Sequence, residues 1–379
     1  MDFSLSSEQK MYKEVARKFA ELGIASRIDE METTRRTPRD LIKQMRDLNF
    51  YGIQYPEKYG GVGGSFLEYC MLLEEVSRVY CSIGGHLAVN SLCTSTIYEF
   101  GTEAQREEFL LDLICGESVG SFAFTEPDTG SDPRAIRTTA LREKDEWVIN
   151  GNKTFITNST LPGYMTVFCK DTEKGGKITN IIIPKFCKGY TVGKHYDKLG
   201  MHGMEVADVF FDNVRVPLEN TTGGENARGR GFEILTQEVA GGKTAVSAQC
   251  VGMAQGALDE AVLYAKKRTQ RGKPISGFQT IQWIIGEMAA EVEAARYMTY
   301  ATAYEKSNGF DITAKSARAR LFSSQVAHRA ASNAMQVMGA FGYIREFRIE
   351  RIFRDVKLSE IYEGVNEIQR IISASELLR

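Results

Sequence analysis

The chain changes character at residues 122–132, which read FAFTEPDTGSD. The apolar start of this stretch favours a strand, and the Pro, Gly, Asp and hydroxyl side chains that follow favour a tight turn. Such a turn can present backbone N–H groups and hydroxyls to a polar ligand, although the same composition is also typical of a capped turn without a ligand. Before this stretch the apolar residues recur with the period of a helix, and after it with the period of a strand.

Residues 1–118 carry the helical pattern. Apolar residues recur three and four positions apart from Leu5 to Leu22 and from Leu41 to Leu48. We expect two more helices, at Phe66 to Val79 and from about Leu87 to Phe100. The sequence therefore predicts an N-terminal α-helical domain.

Residues 119–226 show the two-residue period of β-strands. A hairpin is predicted at Asn150-Gly151, because this dipeptide readily adopts the positive φ angles of a tight hairpin turn. Two further turns are predicted between runs of β-branched and aromatic residues, at Gly175-Gly176 and at Asp212-Asn213. These signals predict a middle antiparallel β-domain.

Residues 227–379 return to the helical period. Long helices are expected at Thr244 to Lys267, Ile281 to Ser307 and Thr313 to Met338, as in a four-helix bundle. Asn366 with Gln369 predicts a capping box for a last helix that reaches Leu377. The predicted fold class is thus α+β, with three domains in the order α, β, α.

Composition and charge exclude several classes of function. The 379 residues carry 47 Lys and Arg against 49 Asp and Glu, a net charge of −2, and basic residues do not accumulate anywhere, so a nucleic-acid surface is not expected. No apolar run approaches the ~18 residues of a membrane span. No signal peptide is visible, the cysteines lack CxxC spacing and the four histidines lack metal-ligand spacing, so we expect a cytoplasmic protein without a metal site.

Two further short motifs gather polar and aromatic side chains. Residues 153–158 read KTFITN, and residues 361–370 read IYEGVNEIQR. Together with residues 122–132, in this order and at these separations, they resemble the acyl-CoA dehydrogenase family of flavoproteins. The resemblance covers essentially the whole chain and includes Pro56-Glu57 ahead of Gly60-Gly61. It implies FAD as the cofactor, lying between the β-domain and the C-terminal bundle.

The resemblance assigns the catalytic base to Glu363, which would remove the α-proton of an acyl-CoA thioester. The structural alternative is an acidic residue near a helix start, where the helix dipole favours a negative charge. A subset of the family carries its base near position 242 instead. This chain has Gly241-Gly242-Lys243 there, with no carboxylate, which supports Glu363.

The resemblance also implies contacts to the flavin. Thr125 would face the pyrimidine edge of the ring system, and Ser131 would lie near a phosphate or the thioester. Thr157 would point toward flavin N5 while Phe155, which replaces a common Trp, packs on the ring. The other implied contacts at this end of the cofactor are Phe124, Val365 and Glu367.

A second group of implied cofactor contacts lies later in the chain. Arg268 matches an arginine that reaches the flavin diphosphate of a neighbouring subunit, and Gln336 with Gly339 matches a stretch that lines the adenine. Two departures fall here, because Arg271 stands where an aromatic residue is usual and Ala340 replaces a second glycine.

Ser131, Tyr362 and Gly364 are the implied substrate contacts. Lys243 stands where an arginine is usual, and Ala240 where a carboxylate is common, so contacts to the pantetheine or acyl chain differ. His86 or Lys243 is a candidate to meet a polar or carboxylated acyl group. The alternative for His86 is a hydrogen-bonded structural residue.

The predicted function is FAD-dependent dehydrogenation of an acyl-CoA to the 2-enoyl-CoA, with electrons passed to electron-transferring flavoprotein. The resemblance implies a homotetramer, a dimer of dimers. Three alternatives stay open: an enoyl-CoA reductase that runs the same chemistry in reverse, an acyl-CoA oxidase that uses O₂, and a non-catalytic relative.

Overall fold

Three successive groups of elements make up residues 4–378, which the computed structural model describes. The N-terminal helices are α1 (Ser7–Phe19), α2 (Ile28–Thr34), α3 (Arg39–Asp47), α4 (Phe66–Val79), α5 (Cys81–Phe100) and α6 (Glu103–Ile114). The strands of the middle domain are β1 (Ser121–Ala123), β2 (Thr139–Glu143), β3 (Glu146–Thr157), β4 (Tyr164–Asp171), β5 (Lys177–Pro184), β6 (Tyr190–His195) and β7 (Val206–Pro217).

The C-terminal group is again helical. It contains α7 (Gly231–Lys267), the short strands β8 (Thr269–Gln270) and β9 (Lys273–Pro274), and then α8 (Gln279–Ser307), α9 (Thr313–Met338), α10 (Arg348–Val356) and α11 (Asn366–Leu377). The order α, β, α is confirmed. No helix within residues 4–378 is both long enough and apolar enough to cross a membrane.

Helix α5 begins six residues earlier than its sequence pattern indicates. The reason is the pair Gly84-Gly85, which lies inside the helix rather than ahead of it. A Cβ atom at Gly84 would lie 2.1 Å from Ser77 Oγ, and one at Gly85 would lie 2.5 Å from Met204 Sδ. The glycines therefore allow close packing of α5 against its neighbours, which a local helix-breaking signal cannot reveal.

The β-domain is a mixed sheet, not the purely antiparallel one predicted. Its strand order is β1-β4-β2-β3-β7-β6, with β5 pairing β4. Strand β4 pairs in parallel with β1 and with β2, whereas the other pairs are antiparallel. The chain makes a long excursion between β1 and β4, so β4 re-enters the sheet in the direction of β1, and turn signals between sequence neighbours do not report such a pairing.

Two predicted turns are wrong for a common reason. Asn150-Gly151 lies within β3, and Asn213 lies within β7. The register of the β3–β7 pair shifts at these residues. Asn213 N donates to Asn150 Oδ1 at 2.8 Å, so the two signals meet across neighbouring strands as an irregularity of the sheet. The turn at Gly175-Gly176 is confirmed between β4 and β5.

The last helix has the predicted range but not the predicted cap. Val365 is the N-cap residue, and Asn366 is already helical. The Asn366 Oδ1 atom instead accepts hydrogen bonds from Arg320 Nη1 at 2.6 Å and Ser324 Oγ at 3.1 Å, both on α9. A buried arginine competes for the oxygen that a capping box would use.

Candidate active site

The loop that carries Glu363 has an unusual backbone. Glu363 has φ 55° and Gly364 has φ 88°, so a residue with a Cβ occupies the left-handed region just ahead of α11. The fully buried Gln369 stabilises this conformation, because its Nε2 donates to Gly364 O at 2.8 Å. Strain of this kind persists where the surroundings hold it, and it is common at catalytic positions.

Arg320 on α9 clamps the same loop from the other side. Its guanidinium donates to Tyr362 O at 2.5 Å and to Asn366 Oδ1 at 2.6 Å, so it holds the chain on both sides of Glu363. Arg320 is fully buried. Sequence analysis missed this residue, although its place among the small residues on the buried face of α9 was a usable signal.

The Glu363 carboxylate lies where α5 and α7 meet. A Cβ atom at Gly242 on α7 would lie 2.9 Å from Glu363 Oε2 and 3.1 Å from Leu92 Cδ2 on α5. Burial raises the pKa of Glu363 to about 7, although the nearby positive charges of Arg320 and Lys243 act in the opposite direction. A carboxylate with this proton affinity is suited to general base chemistry near neutral pH.

Lys243 follows Gly242 on α7 and is buried, with 6% of its surface exposed. Burial lowers the pKa of Lys243 to about 8, although the nearby Glu363 carboxylate acts to raise it. Tyr362 lies on the other flank of Glu363, where its hydroxyl donates to Gln249 Oε1 on α7 at 2.9 Å. The residues around Glu363 thus come from α5, α7, α9 and the loop itself.

A buried ion pair joins the turn after β1 to the end of β3. Lys153 Nζ donates to Glu126 Oε1 at 2.8 Å and to Phe124 O at 3.0 Å. Thr154 N donates to Thr125 O at 2.9 Å, which adds a backbone link. These contacts place Thr125 beside the strand that carries Phe155 and Thr157. Sequence analysis did not assign this structural role to Lys153 and Glu126.

Phe155 lies on a bulge of β3 and points away from the sheet. Its φ is 57°, and 62% of its side chain is exposed. Tyr196 supports the ring from one side, at 4.7 Å between centroids, and the Tyr196 hydroxyl is held by Asp208 Oδ1 at 2.7 Å. An exposed aromatic ring supported in this way, with Thr157 two residues on, fits a planar cofactor such as the isoalloxazine of FAD.

Comparison with known proteins agrees with this site. Family profiles described as the N-terminal, middle and C-terminal domains of acyl-CoA dehydrogenase match residues 6–117, 121–214 and 229–378. The chain belongs to the acyl-CoA dehydrogenase family. The resemblance inferred from the motifs is confirmed.

Relatives in this family include dehydrogenases and reductases. The short-chain specific acyl-CoA dehydrogenase of Clostridium acetobutylicum is 38% identical over the full length of both chains. The acryloyl-CoA reductase (NADH) of Anaerotignum propionicum is 37% identical and covers 100% of this chain and 96% of its own. One chain of a solved structure, from a study of the electron transferring flavoprotein of Acidaminococcus fermentans, is 39% identical to this chain. The two chains cover each other completely, with a TM-score of 0.97.

The residues that the acyl-CoA dehydrogenase resemblance assigned to FAD fall into two groups. Arg268 ends α7, 26 residues beyond Gly242, which at 1.5 Å per residue places it about 39 Å away along the helix. The Arg268 guanidinium lies 5.8 Å from the ring of Phe341, just after Gln336 and Gly339 at the end of α9, and Gln336 and Gly339 are both exposed. One chain therefore does not bring this group to Glu363.

Other assigned residues lie closer to Glu363 in the chain or in the turn after β1. Val365 caps α11, and Gly364 and Tyr362 flank Glu363, whereas Glu367 is exposed on the first turn of α11. Phe124 and Thr125 are partly buried, and Ser131 is exposed. The turn thus presents a hydroxyl at its open end.

The position of His86 favours the structural one of the two expectations for it. Its ring is buried, with 1% of the residue exposed. Tyr51 Oη lies 2.7 Å from its Nε2, and Asn158 Oδ1 lies 2.9 Å from its Nδ1, so both ring nitrogens are engaged within the fold. Burial lowers the pKa of His86 to about 4 and keeps the ring neutral. The residue joins α5 to the end of β3.

Proposed function

We propose that this protein catalyses the FAD-dependent α,β-dehydrogenation of an acyl-CoA thioester to the 2-enoyl-CoA. The observation that carries the proposal is the Glu363 carboxylate, partly buried between α5 and α7 on a strained loop and with a pKa raised to about 7. Family membership and the dehydrogenase of Clostridium acetobutylicum support the reaction class.

Glu363 accepts the α-proton of the bound thioester in this proposal. The backbone N–H of Glu363 makes no hydrogen bond within residues 4–378, so it is available to donate to the thioester oxygen as negative charge develops there. Bound FAD supplies the acceptor for the hydride that leaves the β-carbon. Arg320 and Gln369 hold the loop in place, so the carboxylate and the N–H keep their relative positions.

The residues that would hold the flavin ring are Phe124, Thr125, Ser131, Phe155, Thr157, Val365 and Glu367. Arg268, Gln336 and Gly339 would bind the other end of FAD in a neighbouring copy of the chain, because they lie too far from Glu363 to serve the same ring. We infer a homotetramer, a dimer of dimers, in which each cofactor is held by two copies. Ser131, Lys243, Tyr362 and Gly364 would contact the acyl-CoA.

The direction of the reaction has a second candidate. The relative in Anaerotignum propionicum is named as an acryloyl-CoA reductase, which favours an enoyl-CoA reductase that uses the same residues in reverse. Electron-transferring flavoprotein is the proposed electron partner, supported by the Acidaminococcus fermentans structure. We place the protein in the cytoplasm.

The test is anaerobic reduction of the purified protein by straight, branched, cyclic and carboxylated acyl-CoAs. The protein should be yellow, bleach with its substrate and recolour slowly in air. Glu363→Gln should keep the flavin and lose bleaching. A colourless protein contradicts the proposal, rapid peroxide formation favours an oxidase, and near-normal bleaching of Glu363→Gln assigns the base to another residue.

A further inference from the structure

Lys243 differs from the other buried lysines of residues 4–378. Lys153 is paired with Glu126 at 2.8 Å, and Lys185 donates to Asn158 O at 3.0 Å. Lys243 has neither a hydrogen bond from its ammonium nor an ion pair within 4.0 Å in the part of the chain that the structure describes. Burial of a lysine side chain without such a partner disfavours its charged form, so a charge that acts on it over a longer range matters more.

The Glu363 carboxylate is the opposite charge that acts on Lys243. The two residues are close because Gly242, which precedes Lys243 on α7, lies beside the carboxylate, where a Cβ atom would be 2.9 Å from Glu363 Oε2. The other cation that acts on Glu363 is Arg320 from α9, whereas α5 contributes the apolar Leu92 and α11 the uncharged Gln369. Two cations of different chemistry therefore act on the proposed base.

The two cations cannot play the same part. Arg320 stays charged at all relevant pH values, and its Nη atoms are committed to Tyr362 O and Asn366 Oδ1. Lys243 has no such commitment and can lose its proton. Arg320 thus fixes the position of the loop, and Lys243 supplies a charge that is free to act on the carboxylate.

We propose that Lys243 is a positioning residue whose ammonium stabilises the carboxylate form of Glu363, so that the base is ionised when the thioester binds. The inference rests on the proposed function of Glu363. Loss of the Lys243 charge removes a favourable interaction with the carboxylate, so the proton affinity of Glu363 rises. A base must be deprotonated to act, so the pH above which the enzyme is active rises with it.

The experiment compares the wild-type holoenzyme with Lys243→Met, which keeps the length and removes the charge, and with Lys243→Arg, which keeps the charge. The protonated Glu363 carboxyl is followed against pH by infrared difference spectroscopy without substrate, with Glu363→Gln identifying its band. The rate of reduction by acyl-CoA is measured over the same pH range.

In Lys243→Met the pH midpoint of the infrared band and the acid limb of the rate should both move upward, by on the order of one pH unit. Below the new midpoint the rate should be about tenfold lower than in the wild type. In Lys243→Arg both midpoints should stay at or below the wild-type value. Flavin content and thermal unfolding establish that each variant is folded, and Lys243→Gln replaces Lys243→Met if that variant does not fold.

An unchanged infrared midpoint in the uncharged variant overturns the proposal. So does a change confined to KM, which would make Lys243 only a substrate contact. The infrared titration of Glu363 does not need turnover. It therefore tests the effect of Lys243 on the carboxylate even if the proposed reaction is wrong. If acyl-CoA still reduced Glu363→Gln, the proposed base would be wrong whatever the titration of Glu363 showed.

Discussion

At the scale of single residues, the catalytic machinery rests on a carboxylate in an unfavourable setting. Glu363 combines a left-handed backbone, partial burial and a pKa raised to about 7 from the ordinary 4.5. Each of these features opposes folding, and each suits a base that must accept a proton from carbon. The protein holds the loop through Arg320 and Gln369, whose hydrogen bonds go to Tyr362 O, Asn366 Oδ1 and Gly364 O and not to the Glu363 carboxylate.

This setting predicts a pH-dependent effect of Glu363→Gln on stability. The folded-state pKa lies above the ordinary value, so the contribution of Glu363 to stability is full below about pH 4.5 and is lost as the pH rises through about 7. The glutamine variant should therefore unfold at higher temperature than the wild type at pH 8, with a gain of about 3 kcal/mol in the free energy of unfolding, and should gain less than about 1 kcal/mol at pH 5. Thermal unfolding at both pH values measures this, with the exposed Glu287→Gln as the control. An equal gain at both pH values would show that burial of charge is not the cause.

At the scale of elements, the site depends on how closely α7 approaches α5 and the Glu363 loop. Gly242 allows this approach, because a Cβ would meet both Glu363 Oε2 and Leu92. Its neighbour Gly241 has a different surrounding, since a Cβ there would lie 3.2 Å from Cε of the long and flexible Lys306 side chain. The two glycines offer a matched pair on one helix.

Gly242→Ala should lower the rate of acyl-CoA reduction by tenfold or more, because the new methyl group displaces the carboxylate from its place. Gly241→Ala should stay within about twofold of the wild type. Both variants should fold, since Ala is favoured over Gly in a helix by about 1 kcal/mol. Rapid-mixing kinetics of flavin bleaching test this, and equal rates in the two variants would contradict the close approach.

The contact between α5 and the end of β3 depends on His86. His86→Ala removes the partner of Tyr51 Oη and Asn158 Oδ1 and leaves both buried, so it should destabilise the protein by about 2 to 4 kcal/mol. The preference among acyl-CoAs should stay unchanged. Unfolding curves and kcat/KM for a series of acyl-CoAs check both points, and a changed preference would restore His86 as a substrate contact.

Sequence reasoning succeeded where one helix or one strand carries its own signal. It gave α9 and the range of α11, and the motifs around Thr125, Thr157 and Glu363 led to the family. It failed at Asn150-Gly151, where pairing with β7 overrides a local turn preference, and at the predicted cap of α11, where Arg320 takes the Asn366 oxygen. Arg320 and Lys153 were missed because their roles exist only through partners distant in sequence.

At the scale of the whole molecule, Arg268 at the end of α7 lies about 39 Å along the helix from Gly242, which is beside Glu363. The proposed assembly predicts complementation between damaged copies. Arg268→Ala and Thr157→Val should each lower flavin content when present in every copy. When two copies are co-expressed, one with Arg268→Ala and the other with Thr157→Val, they should form hybrid assemblies. In a hybrid, one site combines the unchanged Thr157 of one copy with the unchanged Arg268 of the other, and this site should bind flavin again.

The absorbance of purified hybrids, isolated with two different affinity tags, measures this recovery. Flavin content in the hybrids should exceed that of either uniform variant. If the hybrids stay as poor in flavin as the uniform variants, both groups act within one copy, and the division of the site between copies is wrong.

Helix α7 runs without interruption from Gly231 to Lys267, so it passes the Glu363 carboxylate at Gly242 and ends at Arg268. In the proposed assembly each cofactor therefore bridges two copies, and its binding contributes to the free energy of association. By mass action, flavin affinity should then depend on protein concentration, and dilution should release flavin and subunits together. Storage at low concentration would inactivate the protein without any unfolding of its domains, and added FAD would restore it.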